Sequence, residues 1–154
     1  MALHHMKLNP EPYRKIRQGK KKIELRLYDE KRRKLEIGDI IEFVNIENEE
    51  FSVKARVLAL HIFPSFKELY ENLPLDKCGY TEDNIDTASC KDMEKFYSLE
   101  EQDKYGVVGI ELEVESEVIR KAFSELIDIQ KNEENRSDWE NCLAIDVWED
   151  KYFG

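Results

Sequence analysis

No stretch of this sequence approaches the ~20 consecutive apolar residues that a bilayer-spanning helix requires. No membrane association is therefore expected. The opening Met1-Ala2-Leu3-His4-His5-Met6 has neither the basic region nor the apolar run of a secretory leader. Cysteine is scarce. Cys78, Cys90 and Cys142 are odd in number, widely spaced and outside any C-x-x-C pattern, which points to reduced thiols in a reducing compartment, the cytoplasm by default. His4, His5 and His61 have no metal-ligand spacing with one another or with a cysteine. A Walker-type glycine loop, a G-x-S-x-G elbow and an H-E-x-x-H pair are also missing, so neither a metal nor a cofactor is expected.

Hydrophobic residues make up 41% of the 154 and charged residues 38%, an ordinary core under a heavily charged surface in about one domain. The net charge is −10, unevenly spread. Between Arg14 and Lys34 eleven Lys or Arg face three acids, a local +8, and the remainder carries −18. An acidic body repels polyanions at long range, so duplex DNA is not an expected partner, whereas a concentrated basic patch can still hold a few phosphates.

Asn9-Pro10-Glu11-Pro12 opens a helix with Tyr13 and Ile16 on its buried side, and Gly19 stops it. Strands are expected over 22–28, 40–46 (after a Gly38-Asp39 turn), 51–63 and 106–114, with 47–50 as a hairpin connection. In the third of these, Val53, Ala55, Val57, Ala59 and His61 share one side, while Leu58, Leu60 and Ile62 share the other. Ser65-Phe66-Lys67-Glu68 and Ser98-Leu99-Glu100-Glu101 are capping-box starts of two further helices. Residues 74–97 between them show little periodicity beyond a helical turn or two near Lys91–Phe96, and read as a binding loop or a surface excursion. Past residue 114, Val118, Ile119, Ala122, Phe123 and Leu126 recur at helical spacing, and Ser137-Asp138-Trp139-Glu140 opens a last segment ending near Trp148. The expected division is a domain over 1–114 and a helical extension over 115–154. The extension either packs on the domain or meets a protein partner through Phe123, Trp139 and Trp148.

On the strand at 22–28, Glu24, Arg26 and Tyr28 share a face, while Ile23, Leu25 and Leu27 fill the core. Lys21 is in phase with the apolar set, so a bend or bulge near Lys21 and Lys22 is needed to bring its amine to the other face. Glu24 would then accept from Lys21 or Arg26, and Arg26 would offer a forked cation to a phosphate or carboxylate. A salt-bridged rim is the alternative. Lys31-Arg32-Arg33-Lys34 is either a solvated turn or, with Lys20 and Lys22, a phosphate contact through Arg32 and Arg33. Tyr28, Phe63, Phe66 and Tyr70 are either core residues or a stacking surface for a base. His61 either lines the cleft or is a satisfied strand histidine.

Gly19-Lys20-Lys21-Lys22-Ile23-Glu24-Leu25-Arg26 fits G-x-K-x-x-E-x-R at all four specified positions. Together with the preceding helix, Gly38-Asp39, Ser65-Phe66 and Tyr105-Gly106-Val107-Val108, this resembles the ASCH family of the PUA-like superfamily over residues 4–114. The resemblance implies an α+β fold, a small PUA-like β-barrel flanked by short helices. It also implies a cleft that takes RNA or a modified nucleoside, with Lys21, Glu24, Arg26, Tyr28 and Phe66 as candidate ligand-binding residues. Some small relatives are amidohydrolases that deacetylate N4-acetylcytidine, using the motif lysine, a threonine and a later glutamate. Here Lys21 matches, Glu24 stands in place of the threonine, and Glu82 is a loose positional counterpart of the third residue. In that alternative a desolvated Lys21 acts as base or nucleophile while Glu24 or Glu82 handles protons. A protein-interaction adaptor working through residues 116–154 is the remaining reading.

Overall fold

The computed structural model describes residues 1–119, with side chains to Glu115. Five strands form one sheet in the order β1-β3-β4-β5-β2, a mixed, curled half-barrel with short helices against it, so the α+β expectation holds. The strands are β1 (Leu3–Leu8), β2 (Ile23–Leu27), β3 (Ile40–Asn45), β4 (Phe51–Phe63) and β5 (Val107–Ile119). The helices are α1 (Pro10–Arg17), α2 (Phe66–Asn72) and α3 (Leu99–Tyr105). β1 runs parallel to β3, and every other pairing is antiparallel. Among the described residues no helix is long and apolar enough to cross a membrane.

β1 is the strand that periodicity does not announce. Its short run alternates buried Met6 and Leu8 with polar residues, and its polar side chains hold it in register. Asp39, at the foot of β3, accepts the Ala2 N–H (2.9 Å) and the Glu36 N–H (3.0 Å) and pairs with His4 Nε2 (2.8 Å). The Ala2 N–H, then His4 and Glu36, outweigh the burial that would raise this carboxyl and hold it at about 2. One residue on, His5 Nδ1 lies 3.0 Å from Glu42 Oε1, and Ser52 Oγ donates to Glu42 Oε2 at 2.9 Å, a buried polar line across β1, β3 and β4. His4 and His5 thus have carboxylate partners.

The sheet buries both faces. Against one face, α1 packs Tyr13 and Ile16 onto Met6, Leu8, Phe43, Val53, Val108 and Ile110. Against the other, Ile23, Leu25 and Leu27 meet Phe66, Leu69, Cys78, Tyr97 and Val107. Gly109, in the middle of β5, lets α2 approach: a Cβ there would lie 2.7 Å from Leu73 Cδ1. β4 departs from simple alternation. Buried Ala55 and Val57 alternate with exposed Arg56 and Leu58, and the register shift at Val57/Ala59 then brings Leu60 against the first core. β5 also runs past the expected end at 114. Val118 and Ile119, read as the start of a helix, pair with Ser52 and Phe51 of β4. The rest of the expected extension, including Ala122, Phe123, Leu126, Trp139 and Trp148, lies outside the described residues.

Of the two expected capping boxes, one forms in full and the other in its serine half. Ser98 and Glu101 make a reciprocal box, and Ser65 Oγ accepts the Glu68 N–H. Gln102 of α3 then ties the layer together, its Oε1 accepting from the Phe66 N–H (3.0 Å) and its Nε2 donating to Tyr97 O (3.3 Å). Gly106 ends α3 at φ 73, ψ −177, a conformation that disfavours any side chain, and a Cβ would sit 3.2 Å from Phe63 O. Gly106→Ala is expected to cost about 1–3 kcal/mol, read as a lower urea midpoint with an unchanged slope.

Candidate functional site

The site begins with how the chain enters β2. Gly19 (φ 77) turns the chain out of α1, and the Lys20 and Lys21 N–H groups both donate to Lys15 O, at 2.9 and 3.1 Å. Lys22 N–H donates to Lys77 O (2.8 Å), tying this loop to a 3-10 turn over Leu75–Cys78. Lys21 therefore lies in a loop before the strand, and this entry turn does the work expected of a bulge. Its aliphatic arm crosses Gly79 (φ 111), where an added Cβ would stand 3.3 Å from Lys21 Cδ.

The amine, carboxylate and guanidinium of the motif meet. Lys21 Nζ is 2.6 Å from Glu24 Oε1. Arg26 Nε and Nη2 both lie 2.9 Å from Glu24 Oε2, and Nη2 also donates to Lys7 O at 2.9 Å. Glu24 is 4% exposed and Arg26 2%, so these charges are compensated by one another. Burial alone would raise the Glu24 carboxyl, but the Lys21 and Arg26 charges and hydrogen bonds outweigh it and hold the group at about 2.

Beside this triad lies a cavity of about 350 Å³. One wall is α1 and its approach, with Asn9, Pro12 and Lys15. The other is the weakly periodic segment, with Cys78, Gly79, Tyr80, Asp92 and Met93 and then Lys95, Phe96 and Tyr97. Lys15 Nζ spans the two walls, donating to Gly79 O at 2.8 Å. The segment is ordered by 3-10 turns over Leu75–Cys78, Ile85–Thr87 and Cys90–Lys95, the last near the expected 91–96 turn and started by a Ser89–Asp92 capping box. Tyr80 OH donates to Asp92 Oδ2 at 2.6 Å, so at the 2.8 Å contact between the two phenols Tyr70 must be the donor. Burial pushes the Tyr70 phenol up to about 12 and raises Tyr80 further, with the Asp92 hydrogen bond adding to the latter, so both stay neutral. Burial also pushes the Cys78 thiol up to about 11, which leaves it unreactive at neutral pH.

Of the residues singled out from sequence, Lys21, Glu24 and Arg26 converge on the cavity, and Tyr70 reaches it from α2. The others lie elsewhere. Phe66 is fully buried in the core, stacked on Tyr97 (ring centroids 5.8 Å apart), and Phe63 packs against the same core. Tyr28 packs against the first core under the Arg33 guanidinium, 4.4 Å from its ring centroid. Arg32, expected to reach a phosphate, is 2% exposed and is held by Asp29 through Nη1 (3.2 Å). Arg33 donates to Tyr105 O (2.9 Å) and Lys31 to His5 O (2.9 Å), so much of the Lys31–Lys34 run serves the fold. Glu82 is exposed and outside the cavity lining. His61, also outside it, pairs with Glu111 at 3.0 Å. Lys20 and Lys22 are exposed on the entry loop. Sequence reasoning missed Lys15, Tyr80, Asp92 and Tyr97. Only Asp92 carried a local signal, the Ser89-x-x-Asp92 pattern.

Because Glu24 sits at about 2 in the folded protein against an ordinary 4.5, its contribution to stability is complete above about pH 4.5 and is lost as pH falls towards 2. Glu24→Gln takes the carboxylate partner from the buried Arg26 and the partly buried Lys21. It is expected to cost about 3 kcal/mol at neutral pH and to remove this part of the acid sensitivity, leaving the part due to Asp39. Urea midpoints measured from pH 7 down to pH 3 check both.

The ASCH domain family matches residues 6–116. In the crystal structure of the hypothetical protein PH0355, a chain 38% identical superposes with a TM-score of 0.61 over 75% of this chain and 100% of its own. Protein PF0455 from Pyrococcus furiosus, solved by NMR, is 36% identical over 73% of this chain and 96% of its own, with a TM-score of 0.55. The crystal structure of ASCH from Zymomonas mobilis is 14% identical with a TM-score of 0.55, covering 83% of this chain and 80% of its own, and it speaks to the fold alone. No curated protein matches the chain. The chain belongs to the ASCH domain family and has its PUA-like fold.

Proposed function

We propose that this ASCH domain recognises RNA or a nucleoside by enclosing a single base in the cavity beside Lys21, Glu24 and Arg26. The observation that carries this is the partnering of Lys21. Its ammonium has three donors and, among the described residues, one ion pair, to Glu24, while it lines the cavity floor. Donors remain for an acceptor edge of a base. Opposite, Asp92 uses Oδ2 to accept from Tyr80 and from the Ser89 N–H (3.2 Å), an arrangement that fixes the carboxylate for a donor edge. Tyr70 and Tyr80 supply the aromatic surface that base recognition uses. The volume lies near the lower end of the roughly 300–1,000 Å³ usual for small-molecule pockets. It admits one base and no duplex.

Binding is favoured over hydrolysis by the state of the carboxylates. A proton acceptor is most effective when its pKa lies near the operating pH, and Glu24, at about 2 and occupied by two cations, is far from that. Glu82 stands outside the cavity.

Titration of the protein with short single-stranded RNAs and with free nucleosides at low salt tests the reading. Saturable binding is expected, and Lys21→Ala should weaken it by roughly tenfold or more, the scale of a lost hydrogen bond to a charged group. RNA affinity should fall with added salt and nucleoside affinity should not. Absence of saturable binding by every RNA and nucleoside tested would remove the proposal.

A further inference from the structure

The pocket accounts for every aromatic ring on its wall but one. Tyr97 is 2% exposed and stacked into the core, and Tyr70 and Tyr80 are tied to Asp92. Phe96, at the rim, is 54% exposed. Its backbone is not loose: the Phe96 and Tyr97 N–H groups both donate to Met93 O, at 3.1 and 3.0 Å, at the end of the 3-10 turn. The ring is tilted at 57° to Tyr97 with 6.4 Å between centroids, so it has a neighbour in the wall while the residue stays open to water. The exposed cation Lys95 precedes it and also lines the pocket. A fixed, solvent-facing ring next to a lysine, at the mouth of a base-sized cavity, matches what a single strand presents there: a second base face and the phosphate that joins it to the first.

We infer that Phe96 is the stacking platform for the base adjoining the one in the pocket, so that the ligand is a single strand of at least two nucleotides rather than a free nucleoside. This rests on the pocket holding a base. Stacking on an aromatic side chain is sequence-tolerant, so Phe96 adds affinity for the strand without choosing its second base. Lys95 meets the connecting phosphate as a point charge.

The experiment compares two probes on the full chain: a labelled single-stranded pentaribonucleotide of mixed sequence, followed by fluorescence anisotropy, and the four nucleoside 5′-monophosphates, followed by calorimetry. Phe96→Ala should weaken pentanucleotide binding about tenfold, within the range for loss of one stacked base, and leave monophosphate binding unchanged. Phe96→Tyr, which keeps the ring, should retain the affinity for both. Thermal unfolding of each variant reports whether the fold is intact. Should Phe96→Ala prove unstable, Phe96→Leu, which keeps apolar bulk without the ring, carries the same test: weaker pentanucleotide binding with unchanged monophosphate binding supports the inference, and unchanged pentanucleotide binding overturns it. The inference is overturned if monophosphates bind and Phe96→Ala leaves the pentanucleotide unaffected, or weakens both probes equally. If neither probe binds the parent protein, the base-binding pocket falls and this inference falls with it.

Discussion

The Glu24 carboxylate, gripped by Lys21 on one oxygen and Arg26 on the other, is the constraint from which both the fold and the site are built. β1 and β2 are the two ends of the sheet, and no strand pairing joins them. Arg26 does so instead, reaching from β2 to the Lys7 carbonyl in β1 while Glu24 fixes its guanidinium. A side-chain clasp thus bridges the gap in a half-barrel that backbone hydrogen bonding leaves open. A buried ion pair is weak evidence for net stability, because desolvation offsets much of the attraction. Its contribution here is geometric. Removing one member strands the others in a site too dry to hydrate them.

The clasp also decides what the pocket can do. On the proposed function, a base entering the cavity would find a floor already neutralised to a single excess positive charge, since two cations share one carboxylate. Such a floor can donate hydrogen bonds to neutral acceptors without a large reorganisation cost, the arrangement expected of preorganised recognition. The opposite wall follows the same logic. Asp92 caps a 3-10 turn and anchors two tyrosines, so its position is set by local backbone bonding before any ligand arrives.

Much of this was legible in the chain because the strongest signals are short-range. The G-x-K-x-x-E-x-R spacing, the helix caps at Ser65 and Ser98, and the alternation of β2 and β5 each rest on contacts a few residues apart. The same spacing logic failed where partners are distant. β1 is too short for periodicity to register, and its stability depends on Asp39 and Glu42, some 35 residues away. Arg32 and Arg33 look like surface cations in a basic run, yet one is buried against Asp29 and the other reaches Tyr105. In β4, a register shift at Val57/Ala59 brings Leu60 to the core without any mark in the composition. Segment 74–97 carried little period to read beyond the turn near Lys91–Phe96. Its order comes from separate 3-10 turns and from tyrosine hydroxyls bonded across ten or twelve positions.

Those fold-bound arginines change the meaning of the charge distribution. The local +8 between Arg14 and Lys34 suggests a broad phosphate-binding surface, but part of it is consumed in holding β1, β2 and α3 together. What remains exposed near the pocket is a short set: Lys20 and Lys22 on the entry loop, Lys77 brought alongside by the Lys22 N–H, and Lys95 on the far wall. Against a body carrying −18, so few cations cannot hold a long polyanion by counterion release alone. On the proposed function, affinity for a nucleic acid would come mainly from what the cavity does to an individual base, with a phosphate or two steadying the strand at its mouth. The proposed mode is therefore recognition of a strand at a point instead of coating of its length.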